Sequence, residues 1–422
     1  KMENVYLTAL SGSGENGRNC YLIAVNDSYI LLDCGVKREI HNGQVGFYPP
    51  LTKEIVSRIK LVFLSHCHED HVAALPLLYE LGYNGNVYAT AETVAETPGF
   101  IRKWQNFVKK NGGILPFSEE ASRNVKLCPI ELGKQKIEGI SFETGRSGHV
   151  LGGVWYSFQI NGKSILYTGD MCLQPVSLGM DVPHSSFNAA IMNSAYAGKI
   201  MIQEQQYQAL LSSVQKALTA GGKVLLPVPQ KGRGIDLFLF LKKKLPNTRI
   251  YVEQDIIDSL KSLSEKEQWI QEPIDTGMSP NIRIIETDEQ RQVAICDKEP
   301  SVILTPDGMI TTDISVSYLD ALKGDEKNLI IITGHAAAGT PGAGILDDSY
   351  RSEHKILASG EKIIFKVHLD DNDICNLAEE TGAKDIILFH SDAVHTKHIK
   401  SILQQRGINA ETLQYPSMLE VK

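Results

Sequence analysis

Short apolar runs of five or six residues recur along the first 195 residues of the chain. They are rich in valine, isoleucine, leucine and aromatic residues, and glycine-bearing loops follow several of them, a pattern typical of β-strands. The runs that predict strands are 5–10, 20–25, 29–33, 61–65, 154–159, 164–168 and 189–193. We therefore expect the first part of the chain to be rich in β-sheet.

The pattern changes after about residue 200. An apolar helical face is predicted by Tyr207, Leu210, Leu211, Val214 and Leu218. A buried strand is predicted at 223–227, and helices and strands then alternate over 233–245, 248–253, 255–263, 301–305 and 328–333. This alternation predicts an α/β domain with a parallel sheet.

The tail of the chain repeats the alternation of strand and helix. Strands are predicted at 362–367 and 385–389, and helices from about 372 and from about 394. Periodicity alone leaves open whether this tail belongs to the middle domain or to the first.

Composition is that of an ordinary globular protein, and 422 residues suffice for two domains or for one large domain with an insertion. Lysine and arginine number 42 against 50 acidic residues, and the net charge of −8 excludes a histone-like or polybasic protein. No apolar run approaches the ~20 residues that span a bilayer, and the N-terminal segment lacks a signal-peptide pattern. We therefore expect a cytoplasmic protein without membrane contact.

The seven cysteines are scattered and include no C-x-x-C pair. They predict neither a disulfide framework nor a thiolate zinc site.

The most informative segment carries His66, His68, Asp70 and His71 within six residues, between an apolar strand and a helical run. A solvated polar loop is the plain alternative, but three buried imidazoles would each need a hydrogen-bond partner. Near the end of a strand, His66 and His68 can point the same way and bind one metal ion. Asp70 and His71, one turn further on, can reach a second.

Such a site needs further donors from elsewhere in the chain. Three candidates follow predicted strands: His149 in GHVLG, Asp170 in TGD, and His390 after ILF. Each signal is weak alone, because a single histidine or aspartate after a strand is more often a helix cap or a satisfied polar group.

Taken in order, these motifs resemble the metallo-β-lactamase-fold superfamily. The resemblance rests on LDCG at 32–35, H-x-H-x-D-H at 66–71, GHVLG at 148–152 and TGD at 168–170. Further segments resemble the β-CASP branch, which includes ribonuclease J and the 3′-end-processing endonucleases: NSAY at 193–196, LPV at 226–228 with Gly232-Arg233, PDGM at 306–309, and Gly334-His335 through Gly339-Thr340.

The resemblance implies an α/β fold in which an αββα metallo-β-lactamase sandwich carries an inserted α/β β-CASP domain. Residues 1–195 would form the first part of the sandwich, 196–355 the β-CASP domain, and 356–422 the return to the sandwich.

The resemblance also implies two zinc ions. His66, His68, His149 and Asp170 would hold the first, and Asp70, His71, Asp170 and His390 the second, with Asp170 as the bridge. Asp33 would support the ligand loop as a hydrogen-bond acceptor.

His368 aligns with a family histidine near the leaving group, which a carboxylate normally steadies. That carboxylate is Asn193 here, so we expect an amide that can orient the imidazole but cannot favour its protonated form. The residues around His368 and His390 also depart from the family pattern.

The implied chemistry is hydrolysis of a phosphodiester, with nucleic acid, chiefly single-stranded RNA, as substrate. Candidate phosphate contacts are Arg233 and the glycine-rich segment 334–344, including Gly339 and Thr340; a plain turn is the alternative for the glycines. Two other functions stay open. One is hydrolysis of a small ester, lactone or phosphoester, and the other is a weakened, nucleic-acid-binding member of the family. The sequence does not fix the oligomeric state, and a homodimer is one option.

Overall fold

The structure, a computed structural model, describes residues 3–184 and 186–422. The chain divides into two compact units: the first combines residues up to 200 with residues 367–422, and the second comprises residues 201–366.

The strands up to residue 200 are β1 Val5–Ser11, β2 Cys20–Val25, β3 Ser28–Leu32, β4 Lys37–His41, β5 Gln44–Phe47, β6 Ile59–Phe63, β7 Asn86–Thr90, β8 Lys126–Ile130, β9 Gly133–Ile137, β10 Ile140–Arg146, β11 Val154–Ile160, β12 Lys163–Tyr167 and β13 Ala189–Asn193. The helices of this part are α1 Lys53–Arg58, α2 Glu69–Val72, α3 Leu75–Glu80, α4 Ala91–Lys110 and α5 Glu119–Arg123.

The second unit alternates helices and strands. Its strands are β14 Val224–Pro227, β15 Arg249–Glu253, β16 Ile282–Ile285, β17 Ser301–Thr305, β18 Leu329–Ile332 and β19 Ser359–Lys362. Its helices are α6 Gln203–Thr219, α7 Arg233–Lys244, α8 Gln254–Ser264, α9 Asp288–Cys296, α10 Asp313–Leu322, α11 Pro341–Gly344 and α12 Asp348–Glu353. The chain then completes the first unit with α13 Asp371–Thr381, β20 Asp385–Phe389, α14 Ala393–Gln405, β21 Asn409–Glu411 and β22 Leu419–Glu420.

Two sheets form the centre of the first unit. Within the described residues, one has the strand order β22-β1-β2-β3-β6-β7-β8 and the other β21-β20-β13-β12-β11-β10-β9. Aromatic rings meet between them: the ring of Phe63 lies 5.0 Å from that of Phe142, and Tyr21 lies 5.0 Å from Phe389, centroid to centroid. The buried rings therefore form the core of a sandwich.

Helices cover the outer faces of both sheets. On the first, Trp104 and Val108 of α4 join a buried cluster with residues of β2, β3 and β6. On the second, Ile374 of α13 and Ile399 of α14 pack with Ile386 of β20. These layers confirm the predicted αββα arrangement.

The second unit is built on a parallel sheet with strand order β16-β15-β17-β14-β18-β19. Its central strands β14, β17 and β18 are fully buried because helices pack on them, whereas the edge strand β19 is partly exposed. Tyr318 and Leu319 of α10, for example, lie against Ile303 and Ile330. The predicted α/β domain is confirmed.

The tail after residue 355 requires a correction. The strand predicted at 362–367 lies instead at Ser359–Lys362, where it pairs with β18 of the second unit. Its partner strand ends at Ile332, and after the hydrogen bond from Ile363 N to Ile332 O the chain leaves the sheet. The return to the first unit therefore begins at residue 367 and not at 356.

The later part of the tail joins the sandwich. Strand β20 pairs in parallel with β13, in a register that places Ala189 opposite Asp385 and Asn193 opposite Phe389. This pairing brings His390 to the same sheet edge as the residues that follow β12 and β13.

Candidate metal centre

The ligand loop runs from the end of β6 into α2 and is held by the carboxylate of Asp33. Ser65 donates to this carboxylate from both its main-chain N and its Oγ, each at 2.7 Å, and Nδ1 of His71 lies 2.7 Å from Oδ2. The hydroxyl of Tyr167 also donates to Oδ2. Asp33 is fully buried, so the hydrogen bonds from these four donors hold the ligand loop in place.

A close approach of two chain segments completes this arrangement. Cys34 N donates to His71 O and Gly35 N to Asn19 O. A Cβ atom at Gly35 would lie 1.6 Å from the carbonyl oxygen of Asp70, so only glycine fits here. This explains the glycine of the LDCG motif.

The remaining donors come from loops that follow strands. His149 lies after β10, Asp170 after β12, and His390 directly after β20 with a positive φ of 68°. Nδ1 of His149 is 2.7 Å from the carbonyl of Val367, which fixes that ring and turns its Nε2 inward.

The donors form two groups that we call the first and second subsites. The first subsite comprises His66, His68, His149 and Asp170. The second comprises Asp70, His71 and His390, together with Asp170. The ligand atoms of the first four residues lie within 4.8 Å of one another, and so do those of Asp70, His71 and His390.

The distances in the first subsite fit metal coordination. With zinc–ligand bonds of about 2.0–2.2 Å, neighbouring ligand atoms of a tetrahedral site lie roughly 3.3–3.6 Å apart. Nε2 of His66 and Nε2 of His149 are each 3.5 Å from Oδ2 of Asp170. Both nitrogens are buried and have no hydrogen-bond partner among the described residues. Buried lone pairs that converge in this way suit a cation.

The second subsite has the same spacing. Oδ2 of Asp70 lies 3.2 Å from Nε2 of His390 and 3.5 Å from Nε2 of His71. Asp170 closes the group, with Oδ1 3.3 Å from His71 Nε2 and Oδ2 3.5 Å from His390 Nε2. Asp170 thus reaches both subsites, as a bridging ligand must.

Burial and charge affect the two subsites differently. Burial lowers the pKa of His66 well below its usual value and that of His149 as well, and burial together with His149 lowers the pKa of His68 to about 4. These rings are neutral at pH 7, and their lone pairs are available to a metal ion.

In the second subsite the carboxylates together affect the pKa values of the histidines more than burial does. Burial alone would lower the pKa of His390, but Asp170 and Asp70 raise it to about 8. The same two carboxylates and Asp33 outweigh burial and raise the pKa of His71 well above its usual value. Burial would raise the pKa of Asp170, but His71 and other histidines lower it strongly. The carboxylates of this subsite therefore favour positive charge beside them, on the histidines or on a bound metal ion.

Asn193 has a different partner from the one expected. Its Nδ2 donates to Oδ1 of Asp170 at 2.9 Å, and its own Oδ1 accepts from Ala195 N at 3.1 Å. Among the described residues no hydrogen bond joins Asn193 to His368. The expectation that this amide orients His368 is thus wrong in this structure, because the amide hydrogens face a carboxylate that needs a donor.

His368 nevertheless lies within the centre. Its ring is 4.6 Å from that of His149 and 5.2 Å from that of His390, centroid to centroid. A ligand atom of His368 lies within 4.8 Å of ligand atoms of Asp170 and His390. Burial and His149 lower its pKa well below the usual value, so the ring is neutral at pH 7.

The predicted substrate contacts lie in the second unit. Arg233 is the first residue of α7, and its Nε donates to Thr333 Oγ1 at 2.9 Å while its guanidinium packs on Gly334. Thr340 is the N-cap of α11 and accepts from Ala343 N at 3.3 Å. Gly339 precedes it with a φ of 84°. These contacts all lie within the second unit, and a role in binding substrate stays a prediction for all three residues.

Sequence reasoning missed the supporting residues Asn19, Tyr21 and Tyr167. Tyr21 and Tyr167 lie on β-strands and their side chains read as part of the apolar pattern, although their hydroxyls contact the site. Only the polar Asn19, directly before an apolar strand, gave a signal that could have been noticed.

Within the described residues, no helix has the length and apolar character needed to cross a membrane.

Comparisons with known families give two matches along the chain. Residues 13–226 match the metallo-beta-lactamase superfamily, and residues 237–345 match the Beta-Casp domain. The first match alone covers slightly more than half of the 422 residues.

Several curated proteins are similar over most of the chain. Integrator complex subunit 11 of Danio rerio is 26% identical over 96% of this chain, which spans 72% of that protein. Endoribonuclease YSH1 of Candida albicans is 25% identical over 98% of this chain, which spans 52% of it. Transcription termination factor FttA of Methanocaldococcus jannaschii is 28% identical over 80% of this chain, which spans 57% of it. The chain is thus clearly shorter than these relatives.

A solved structure of a protein of unknown function from Enterococcus faecalis V583 superposes with a TM-score of 0.62 at 15% sequence identity. The match covers 99% of this chain and all of the other, and it shows that the two share a fold.

Proposed function

Because this chain belongs to the metallo-beta-lactamase superfamily and carries a Beta-Casp domain, we propose that it is a zinc-dependent hydrolase that cleaves phosphodiester bonds in RNA. One of its relatives is named an endoribonuclease and another a transcription termination factor. The observation that carries the proposal is the convergence of seven histidine and aspartate donors in two adjoining groups.

We propose two zinc ions at these groups. His66, His68, His149 and Asp170 would hold one, and Asp70, His71, His390 and Asp170 the other, because imidazole nitrogens and carboxylates are ligands that zinc prefers. Zinc binding at the second group would displace the protons of His71 and His390, whose pKa values are raised. When bound, such a pair supplies Lewis acidity and lowers the pKa of water at the site.

The protein's own side chains prepare this site. Asp33 accepts the Nδ1 proton of His71 and so directs Nε2 of this ring inward. Asn193 holds one oxygen of Asp170 and limits rotation of the bridging carboxylate. Asp70 and Asp170 keep their negative charge at pH 7, since neighbouring histidines lower the pKa of both carboxyls.

We assign His368 to the oxygen that departs from phosphorus. Its ring is neutral at pH 7 and acts mainly as a hydrogen-bond donor, since no carboxylate of the described residues is bonded to it. Cleavage that requires a full proton transfer should therefore be slow. Arg233, Gly339 and Thr340 are proposed to contact phosphates of the substrate.

We further propose a single-stranded RNA substrate in the cytoplasm. The net charge of −8 makes non-specific attraction to long duplexes weak. A homodimer stays a prediction.

The decisive experiment compares three substrates with zinc-reconstituted protein: labelled single-stranded RNA, single-stranded DNA, and a small ester. We expect cleavage of RNA that EDTA abolishes and that His68→Ala removes. His41→Ala is the matched control, because His41 is an exposed histidine of β4 that belongs to neither subsite.

Two outcomes would contradict the proposal. Hydrolysis of the ester alone would identify a small-molecule hydrolase. Tight RNA binding without turnover, in protein that holds two zinc ions, would identify the weakened, nucleic-acid-binding function.

A further inference from the structure

Asn19 lies directly before β2 and is fully buried. Its main-chain N donates to the carbonyl of Asp70 at 2.9 Å, and its own carbonyl accepts from Gly35 N at 3.0 Å. The residue thus connects the start of β2 with the ligand loop.

The side-chain amide of Asn19 has a defined orientation. Tyr21, also fully buried, donates its hydroxyl to Asn19 Oδ1 at 2.8 Å. Nδ2 faces two oxygens of Asp70, the carbonyl at 3.1 Å and Oδ2 at 3.2 Å. The opposite orientation would place Oδ1 against these acceptors, so the hydrogen-bond partners fix which atom is nitrogen.

The same nitrogen lies 3.1 Å from Nε2 of His71. Asn19 therefore donates to the Asp70 oxygen that would bind metal and contacts the ring of His71, the neighbouring donor of the second subsite. Asp70 is the donor that most needs such support, because it lies on the short helix α2 and a quarter of its side chain is exposed.

The first subsite has other supports. Nδ1 of His66 is 3.0 Å from Ser65 Oγ, and Nδ1 of His149 is 2.7 Å from Val367 O. No hydrogen bond of Asn19 in the described structure reaches these rings. The influence of Asn19 should thus be confined to one subsite.

We infer that Asn19 is a positioning residue of the second metal subsite: its amide, oriented by Tyr21, sets Oδ2 of Asp70 and the ring of His71 in the arrangement that accepts the second ion. The inference rests on the proposed metal binding. Removal of a residue that orients metal ligands typically costs about 10–100-fold in metal affinity.

The test is a zinc titration of the full chain against a competing chelator, which yields two dissociation constants. His68→Ala and His390→Ala assign the two binding steps, since each removes a donor of one subsite only. We expect Asn19→Ala to weaken the step that His390→Ala removes by about 10–100-fold and to leave the other step unchanged.

Asn328→Ala is the matched control. Asn328 is also a buried asparagine, 7% exposed, and its amide bonds Lys223 N and Leu322 O in the second unit. It should lower stability without changing either zinc constant. Tyr21→Phe removes only the hydroxyl that orients Asn19, and it should give a smaller loss at the same step even if Asn19→Ala fails to fold.

Unchanged constants in both Asn19→Ala and Tyr21→Phe, or an equal loss at both steps, would overturn the inference. If the wild-type protein bound no zinc, the proposed function would fail with it. Two zinc ions and RNA cleavage in the wild type, with no selective loss in either variant, would overturn the role of Asn19 alone.

Discussion

At the scale of single residues, Asp170 illustrates how one carboxylate serves several partners. Its Oδ2 lies 3.5 Å from Nε2 of His66, His149 and His390, and its Oδ1 accepts from Asn193 at 2.9 Å. An asparagine can donate at this position at any pH, whereas an ionised aspartate or glutamate cannot. Asn193 therefore gives Asp170 a hydrogen-bond donor at every pH.

Replacement of Asn193 by aspartate should destabilise the metal-free protein. Two carboxylates would then face each other about 3 Å apart, and like charges at that distance cannot both ionise without cost. We expect a loss of about 1–3 kcal/mol in the free energy of unfolding without zinc, and a larger gain on adding zinc than in the wild type. Urea unfolding with and without zinc measures both.

Asn328→Asp provides the comparison, since it places a carboxylate at a buried amide of the second unit. Zinc should recover none of its lost stability. An identical zinc response in the two variants would show that Asn193 does not act on Asp170.

Removal of the imidazole of His368 tests its assignment to the departing oxygen. His368→Ala should lower kcat on RNA, whose departing alkoxide is a poor leaving group, by up to about 10-fold, as expected for the loss of one hydrogen bond of about 0.5–1.5 kcal/mol. Its effect on a nitrophenyl phosphodiester should be slight, because nitrophenolate departs with little protonation. Equal losses on both substrates would assign His368 a different role.

At the scale of secondary-structure elements, Asp297 connects the end of α9 to strand β15. Its carboxylate accepts from Arg249 Nη1 at 2.6 Å and from the Tyr251 hydroxyl at 2.7 Å. Burial alone would raise the pKa of this carboxyl, but the bonds from Tyr251 and Arg249 lower it to about 2. The charged form is thus the one that the fold stabilises.

A lowered pKa in the folded state gives a definite pH dependence. The unfolded carboxyl titrates near 3.9, so the contribution of Asp297 is fully present above about pH 5 and is lost as the pH falls through 2. Asp297→Asn should reduce stability by about 1–2 kcal/mol at pH 7 and by little near pH 2. Thermal unfolding of both proteins across this range measures the difference; a constant difference would contradict it.

Strands were easier to predict than the elements between them. The run at 20–25 coincides with β2 and that at 385–389 with β20, because their buried side chains are almost all apolar. Helix α4 was not predicted: Pro98 and Gly99 interrupt its pattern, and its packing through Trp104 stabilises it. The strand at 362–367 was misplaced because its apolar residues are buried outside the sheet.

The residues of the candidate site could likewise be predicted only in part. His66, His68, Asp70 and His71 could be found from the sequence because their spacing after a strand is unusual. The other three members of the group, His149, Asp170 and His390, could be found only through the resemblance to a family. The partner of Asn193 could not, since that contact depends on how β12 and β13 place two loops side by side. The contacts of Asn19 and Tyr21 likewise arise only from the packed sandwich.

At the scale of the whole molecule, all donors of the metal centre belong to the first unit. A ligand that binds only the folded form raises stability, by about 2.7 kcal/mol at a concentration of 100 times Kd. We therefore expect EDTA to lower the unfolding temperature of the first unit and to leave that of the second unchanged.

Calorimetry of the full chain with zinc and with EDTA resolves the two transitions. The fragment 201–366, measured alone, identifies the transition of the second unit and should show no response to zinc. A zinc-dependent shift in that fragment would place metal ligands in the second unit.

The order of donors along the chain has a consequence for synthesis. Asp170, which reaches both subsites, and His390 are separated by 390 − 170 = 220 residues, which include the whole second unit. At about 5–20 residues per second, a ribosome needs roughly 10–45 s to cover that distance. A nascent chain thus presents every donor of the first subsite long before His390 emerges. A product truncated anywhere in the second unit lacks His390, and it also lacks Val367, whose carbonyl fixes the ring of His149. Termination before residue 390 therefore cannot release a fragment that carries all seven donors.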